Sequence, residues 1–252
     1  MKIKTYAALE LTADHMMDTS RLIFLPTQAA AQTCPPQIPS LLIRLGRDQE
    51  AYNNLSLNRA ISQPPFLYSS STLYTDAFER IGNEVMYTTA MLQNLMDGLL
   101  LKIKLLLDLK DLQNVPVQLL QSKRMPPELV DLVKTFIVRS HIIRENREIM
   151  ESEDQSELVG KLEDQIMFLL GQIQMTSGVY PDFPFDETTG VYRICEPKNF
   201  DVSRSVPIYY RREQRFEAWA ETPGALEMLK AKVADFRARW TLNRYFYWSY
   251  GS

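Results

Sequence analysis

Between Thr75 and Asn114 apolar residues recur at spacings of three and four: Phe78, Ile81, Val85, Met91, Leu92, Leu95, Met96, Leu99, Ile103, Leu106 and Leu109. No proline interrupts this stretch, so the spacing predicts a helix. At about 1.5 Å per residue, ~40 residues span roughly 60 Å. From Leu99 to Leu109 the pattern is apolar almost all round. A helix greasy on every face must be surrounded, either by its own chain or by another subunit. Pro116 predicts its end.

Pro126, Pro127 and Glu128 mark the next helix start, because proline is tolerated in a first turn and an acid favours the positive end of the helix dipole. The pattern Leu129, Leu132, Phe136, Ile143, Met150 is read as its core face and is followed by Leu158, Leu162, Ile166, Leu169 and Ile173. The polar stretch from Glu151 to Glu157 is either a solvated part of one kinked helix or a break between two, and the single kinked helix over 127–175 is favoured. Two long helices joined by a short proline connection predict an antiparallel hairpin. Near the C-terminus, Thr222 as cap and Pro223 at the first helical position predict a last helix, with Leu226, Leu229, Val233, Phe236 and Trp240 as its seam.

The flanks are less regular. In residues 1–71 a short strand from Ile3 to Leu11, a helix from Thr12 to Leu25, and a helix capped by Ser40 and running to Leu55 are expected between proline-rich breaks. Residues 178–212 hold four prolines between β-prone pieces, which read as a small hairpin or an ordered crossing loop. The expected fold is therefore mainly α: a long antiparallel helical hairpin or bundle, an irregular N-terminal arm, and a loop or β-hairpin segment before a C-terminal helix. The expected division is 1–71, 72–177 and 178–252.

Composition narrows the function classes. The 252 residues are 45% hydrophobic and 23% charged, which places the chain among ordinary globular proteins rather than disordered ones. Nine glycines, spread apart, form no phosphate-cradling loop. Cys34 and Cys195 alone build neither a disulfide framework nor a four-ligand zinc site. The N-terminal residues lack the uninterrupted apolar core of a signal peptide, and no run approaches the about 20 apolar residues of a membrane span. The expected location is intracellular, in the cytoplasm or within an assembled particle. Formal net charge is −3, which argues against a general nucleic-acid binder but not against a local basic patch. That charge is unevenly spread: 145–187 carries 2 basic and 11 acidic residues, whereas 188–252 carries 11 basic and 7 acidic ones. The two regions can attract each other within one chain or between copies.

Catalytic signals are thin. His141 and Glu145 share a helical face, but with only His15 as a second histidine no helical di-metal site can be built. A surface pair is the plainer reading. Glu145, Glu148 and Glu151 recur every three residues and read as a solvated acidic face unless a cleft shifts one of them. Neither cysteine has the histidine or basic cluster that would lower its pKa. No metal, cofactor or catalytic residue is expected.

The C-terminus is the least ordinary region. All three tryptophans, Trp219, Trp240 and Trp248, fall in the last 34 residues, and five aromatics occupy the seven positions from Arg244 to Tyr250. Aromatics mixed with arginine are the composition of interface hot spots. Trp240, Arg244, Tyr245, Phe246, Tyr247, Trp248 and Tyr250 are therefore the candidate protein-contact residues, set against packing of the tail on its own domain. Base stacking is the other alternative, with Arg204, Arg211, Arg212, Arg215, Arg237 and Arg239 on phosphates. The leading expectation is a non-catalytic structural or assembly subunit whose partners are other protein subunits, the same or different. A nucleic-acid-binding subunit comes second, and an enzyme with a carboxylate-based site third.

Overall fold

A computed structural model of the chain describes residues 11, 14, 38–61, 76–81, 89–121, 126–152, 154–177 and 217–249. Of these, 82% are helical and none lies in a strand. The protein is mainly α, with bundle-like packing between its long helices. In chain order the helices are α1 (Ile38–Arg44), α2 (Asp48–Ile61), α3 (Thr89–Gln121), α4 (Pro127–Ile137), α5 (His141–Arg144), α6 (Arg147–Glu151), α7 (Ser156–Ser177) and α8 (Ala225–Ser249). A further helical turn occupies 217–221. Of the strand expected from Ile3 to Leu11 only Leu11 is described, and it is helical rather than extended; of the helix expected after it only Asp14 is described, and the expected hairpin within 178–212 lies outside the described residues.

The helix α3 runs through the middle and packs against α1, α2, α4, α5, α7 and α8, most extensively against α7. Leu99, Leu100, Leu101, Ile103, Leu105, Leu106 and Leu109 are all buried. Of the two coverings its sequence allows, the chain's own elements are the one found. Full burial of such a side chain contributes ~1.5–3 kcal/mol. Ile38–Ile43 of α1, Tyr52 of α2, Ile143 of α5, Leu162–Ile173 of α7, Trp219, and Leu229 with Phe236 of α8 complete one continuous core. Leu229, Val233 and Phe236 face inward, as their seam predicts.

Several boundaries differ from the sequence reading, each for a local chemical reason. The predicted start of the long helix, from Thr75, is instead an irregular segment at 76–81. Asp76 accepts a hydrogen bond from the Phe78 amide (2.9 Å), a local turn that competes with helix formation. The carbonyls that a helix would use are taken by side chains. Lys102 donates to Ala77 and Glu79, Gln165 to Phe78 at 2.7 Å, and Tyr52 to Glu79 at 3.1 Å. At the other end α3 continues past Pro116 to Gln121, although proline removes one helical donor.

The single helix favoured over 127–175 is four pieces. Ser140 caps α5 by accepting from the Ile142 amide (3.2 Å), Asn146 caps α6 from Ile149 (3.1 Å), and Asp154 opens α7 from Ser156 (2.8 Å). Each short polar side chain supplies the acceptor that an orphan helix-start amide requires. Between α4 and α5 the chain is extended. There the buried Asp108 of α3 accepts from the Arg139 amide (3.0 Å) and the Ser140 amide (2.7 Å), and from the Arg139 guanidinium at 2.9 Å.

Two further corrections concern turns. The helix expected from Ser40 to Leu55 is split at Gly46, whose φ of 73° lies where other residues are strained. Gly46 donates to Ile43 and Arg47 to Leu42, the paired bonds of a Schellman end. Thr222 does not cap α8. Its hydroxyl donates back to Ala218 (2.8 Å), closing the preceding turn, and α8 starts only after Gly224 (φ 80°).

Replacing Asp108 with alanine orphans two amides and frees one arginine contact in a dry connector. The expected cost is ~2–4 kcal/mol of unfolding free energy, read as a lower denaturant midpoint at unchanged slope.

Candidate functional site

Among the described residues, a polar cleft of about 310 Å³ lies between the end of α1, the middle of α3, α5 and the turn before α8. Arg44, Lys104, Arg139, His141 and Arg144 line it, with Glu221 opposite. That volume is at the lower end of small-ligand sites, and the basic lining would suit an anion. The cations, however, already have protein partners. Arg44 spans Glu217 (2.6 Å) and Glu221 (2.8 Å), and its pKa is raised chiefly by the hydrogen bond to Glu221. Lys104 is paired with the fully buried Asp48 at 2.8 Å. Arg139 is shared between Asp108 and Asp111, and Arg144 donates to the Val138 carbonyl. The cleft is a seam of internal ion pairs that joins α1 to the 217–221 turn and α3 to the start of α2 and to the connector between α4 and α5.

Among the described residues, Lys102 is the ionisable group whose pKa is most displaced. It is fully buried, its amine donates to the Ala77 and Glu79 carbonyls, and it sits 5.0 Å from the Tyr52 ring centre. Burial lowers its pKa to about 7, against a smaller opposing attraction from Asp76. An amine near neutrality can act as a base or nucleophile, but it needs access to a substrate, and this one is walled in by helix and loop. The same loop is held from outside as well. Lys161 binds Glu79 (2.9 Å), whose pKa is lowered by that hydrogen bond, and the Arg80 guanidinium lies 4.3 Å from the Phe168 ring centre. The role of Lys102 is to hold the 76–81 segment in place.

His141 and Glu145 are the exposed surface pair that the sequence indicates, 3.1 Å apart. Among the described residues no group of three or more histidine, cysteine or acidic side chains is placed to hold a metal. Nor, among them, is any helix long and apolar enough to cross a membrane.

Trp240, Arg244, Tyr245, Phe246, Tyr247 and Trp248 fall in the last turns of α8, while Tyr250 lies beyond the described residues. Arg204, Arg211, Arg212 and Arg215 also lie outside them. Arg237 and Arg239 are exposed on α8, and Arg239 is paired with Asp235 at 3.0 Å. Two basic candidates therefore share one helix.

The residues that the sequence reading misassigned are Leu129, Leu132 and Phe136. They are not core. They form an outward stripe on α4 and are 46%, 50% and 80% exposed, whereas Val130, Val133 and Ile137 on the adjoining face are more covered. Spacings of three and four put the exposed three on one side of the helix. On the side of the stripe away from the core, Glu128 and Asp131 are exposed. The signal was present in the sequence as two interleaved apolar sets in eleven residues, more than one buried face accommodates.

Compared with known proteins, the chain matches no family model, no curated protein and no solved structure.

Because the folded state holds Lys102 neutral down to about pH 7 while the unfolded chain keeps it protonated to about 10.4, the unfolded state binds the extra proton between these values. Stability should therefore rise with pH across that window. Urea midpoints at intervals from about pH 6.5 to 10 should show the rise in the native chain and a flatter profile in Lys102→Met.

Proposed function

We propose that this chain is a non-catalytic assembly subunit that works through protein–protein contacts. The observation that carries the reading is the α4 stripe: three large apolar side chains in i, i+3, i+7 register, left outside a core that already closes around α3. Helix-on-helix recognition uses such a register. Large apolar groups clustered on a surface mark contact sites, whereas singly scattered ones do not. The ionisable groups inside the molecule support the same reading, since Lys102, Lys104, Asp108 and Arg139 are taken up in holding connectors. The composition of Trp240–Tyr250, six aromatics with Arg244 among them, is of the kind that protein contacts favour.

Phe136→Asp should leave the unfolding free energy within about 0.5 kcal/mol of native, because the side chain is mostly outside the core. The same variant, tagged and expressed in the source cells, should lose at least about tenfold of its affinity for the assembly that retains the native chain. Sedimentation of the two tagged chains from extract reads this directly. A variant that sediments with the same complex as the native chain overturns the reading.

A further inference from the structure

Resting on the assembly reading, we propose that the α4 stripe of one copy receives the aromatic, basic end of α8 from a second copy, so that copies join head to tail. The first support is placement. The α8 helix begins beside α5, since Thr222 and Pro223 line the cleft with His141 and Arg144. Its 25 residues lead ~37 Å away from there. Along that course Lys232 meets Glu163 (2.8 Å), and Phe236 then packs at Gly171, further toward the C-terminal end of α7. The α4 helix belongs to the other end of α7. Lys134 donates to the Met150 carbonyl (3.1 Å) on α6, and Gln155, just before α7, donates to Ile149 (2.6 Å). The last turns of α8 and the α4 stripe therefore sit toward opposite ends of the molecule. The aromatic end is directed away from the stripe of its own chain, and a second copy can present it there.

Charge selects this pairing over the symmetric one. The solvent side of the stripe is bordered by Glu128 and Asp131, and the sequence from Asp235 onward carries three arginines against one acid, a net positive charge that remains after Arg239 pairs with Asp235. Stripe against stripe would set acids against their own copies, and like charges across a contact disfavour it. A contact between two different surfaces of one chain is heterologous, and it grows into a ring or an open filament. With a patch on the order of 300 Å², well below the ~800 Å² per partner of a stable pair, each contact is weak and concentration-dependent.

Complementation of two full-length-scale variants tests this. Phe136→Asp keeps the α8 end and lacks the stripe; the double variant Tyr245→Asp, Trp248→Asp keeps the stripe and lacks the end. Circular dichroism and thermal unfolding confirm that each folds, and a chain lacking Tyr245–Ser252 serves as a second version of the end-deficient partner. In light scattering from roughly 5 to 100 μM at low salt, the native chain should grow in mass with concentration beyond two copies. Each variant alone should stay at 29.2 kDa. Mixed, they should form a one-to-one pair that grows no further. Folded variants that fail to pair, or variants that each still assemble alone, overturn the inference. A native chain that stays monomeric at 100 μM yet still enters its cellular complex overturns the head-to-tail contact alone and leaves the assembly reading standing.

Discussion

From Leu95 to Leu109 the central helix has almost no solvent side, so it cannot leave the polar side chains there to water. Lys102, Lys104 and Asp108 of α3 are all buried, and each finds its partner in a different non-helical or helix-start segment. Lys102 takes the carbonyls of 77 and 79, Lys104 takes Asp48 at the start of α2, and Asp108 takes the amides of 139 and 140. An unsatisfied buried polar group costs more than a made hydrogen bond gains. These three side chains therefore determine where the surrounding segments may stop being helical. The apolar residues between them supply most of the burial, and the polar ones supply the register.

That division explains what could be read from the chain in advance. The central helix, the C-terminal seam at Leu229, Val233 and Phe236, and the mainly α class follow from spacing alone, because burial of a face leaves a period in the sequence. The breaks do not. The segment at 76–81 has a helical apolar pattern in Phe78 and Ile81, but its carbonyls are claimed by Lys102, Gln165 and Tyr52, which lie 23 or more residues away along the chain. A contact of that range leaves no local trace. Ser140 and Asn146 are ordinary capping residues and were legible as such, yet the apolar pattern running through Ile143 and Met150 outweighs them in a linear reading.

The α4 stripe shows the opposite failure. A period of three to four says that residues share a side; it does not say which side faces in. Leu129, Leu132 and Phe136 match the template as well as Val130, Val133 and Ile137 do, and only the position of α3 decides between them. The aromatic end of α8 was legible as unusual because composition alone carries that signal. The candidate contact surfaces thus came from two kinds of observation, one compositional and one geometric.

Arg44 carries a consequence for how the molecule is made. Its guanidinium, at the end of α1, is held by Glu217 and Glu221, the latter 177 positions further along the chain. Trp219 and the first turns of α8 enter the same core as Leu41 and Leu42. During synthesis on the ribosome, at ~5–20 residues per second, the apolar side of α3 is translated long before the segment that covers it. The nascent chain therefore spends several seconds with a leucine-rich helix incompletely sheltered, a window in which a chaperone has more to bind than it does once release is complete.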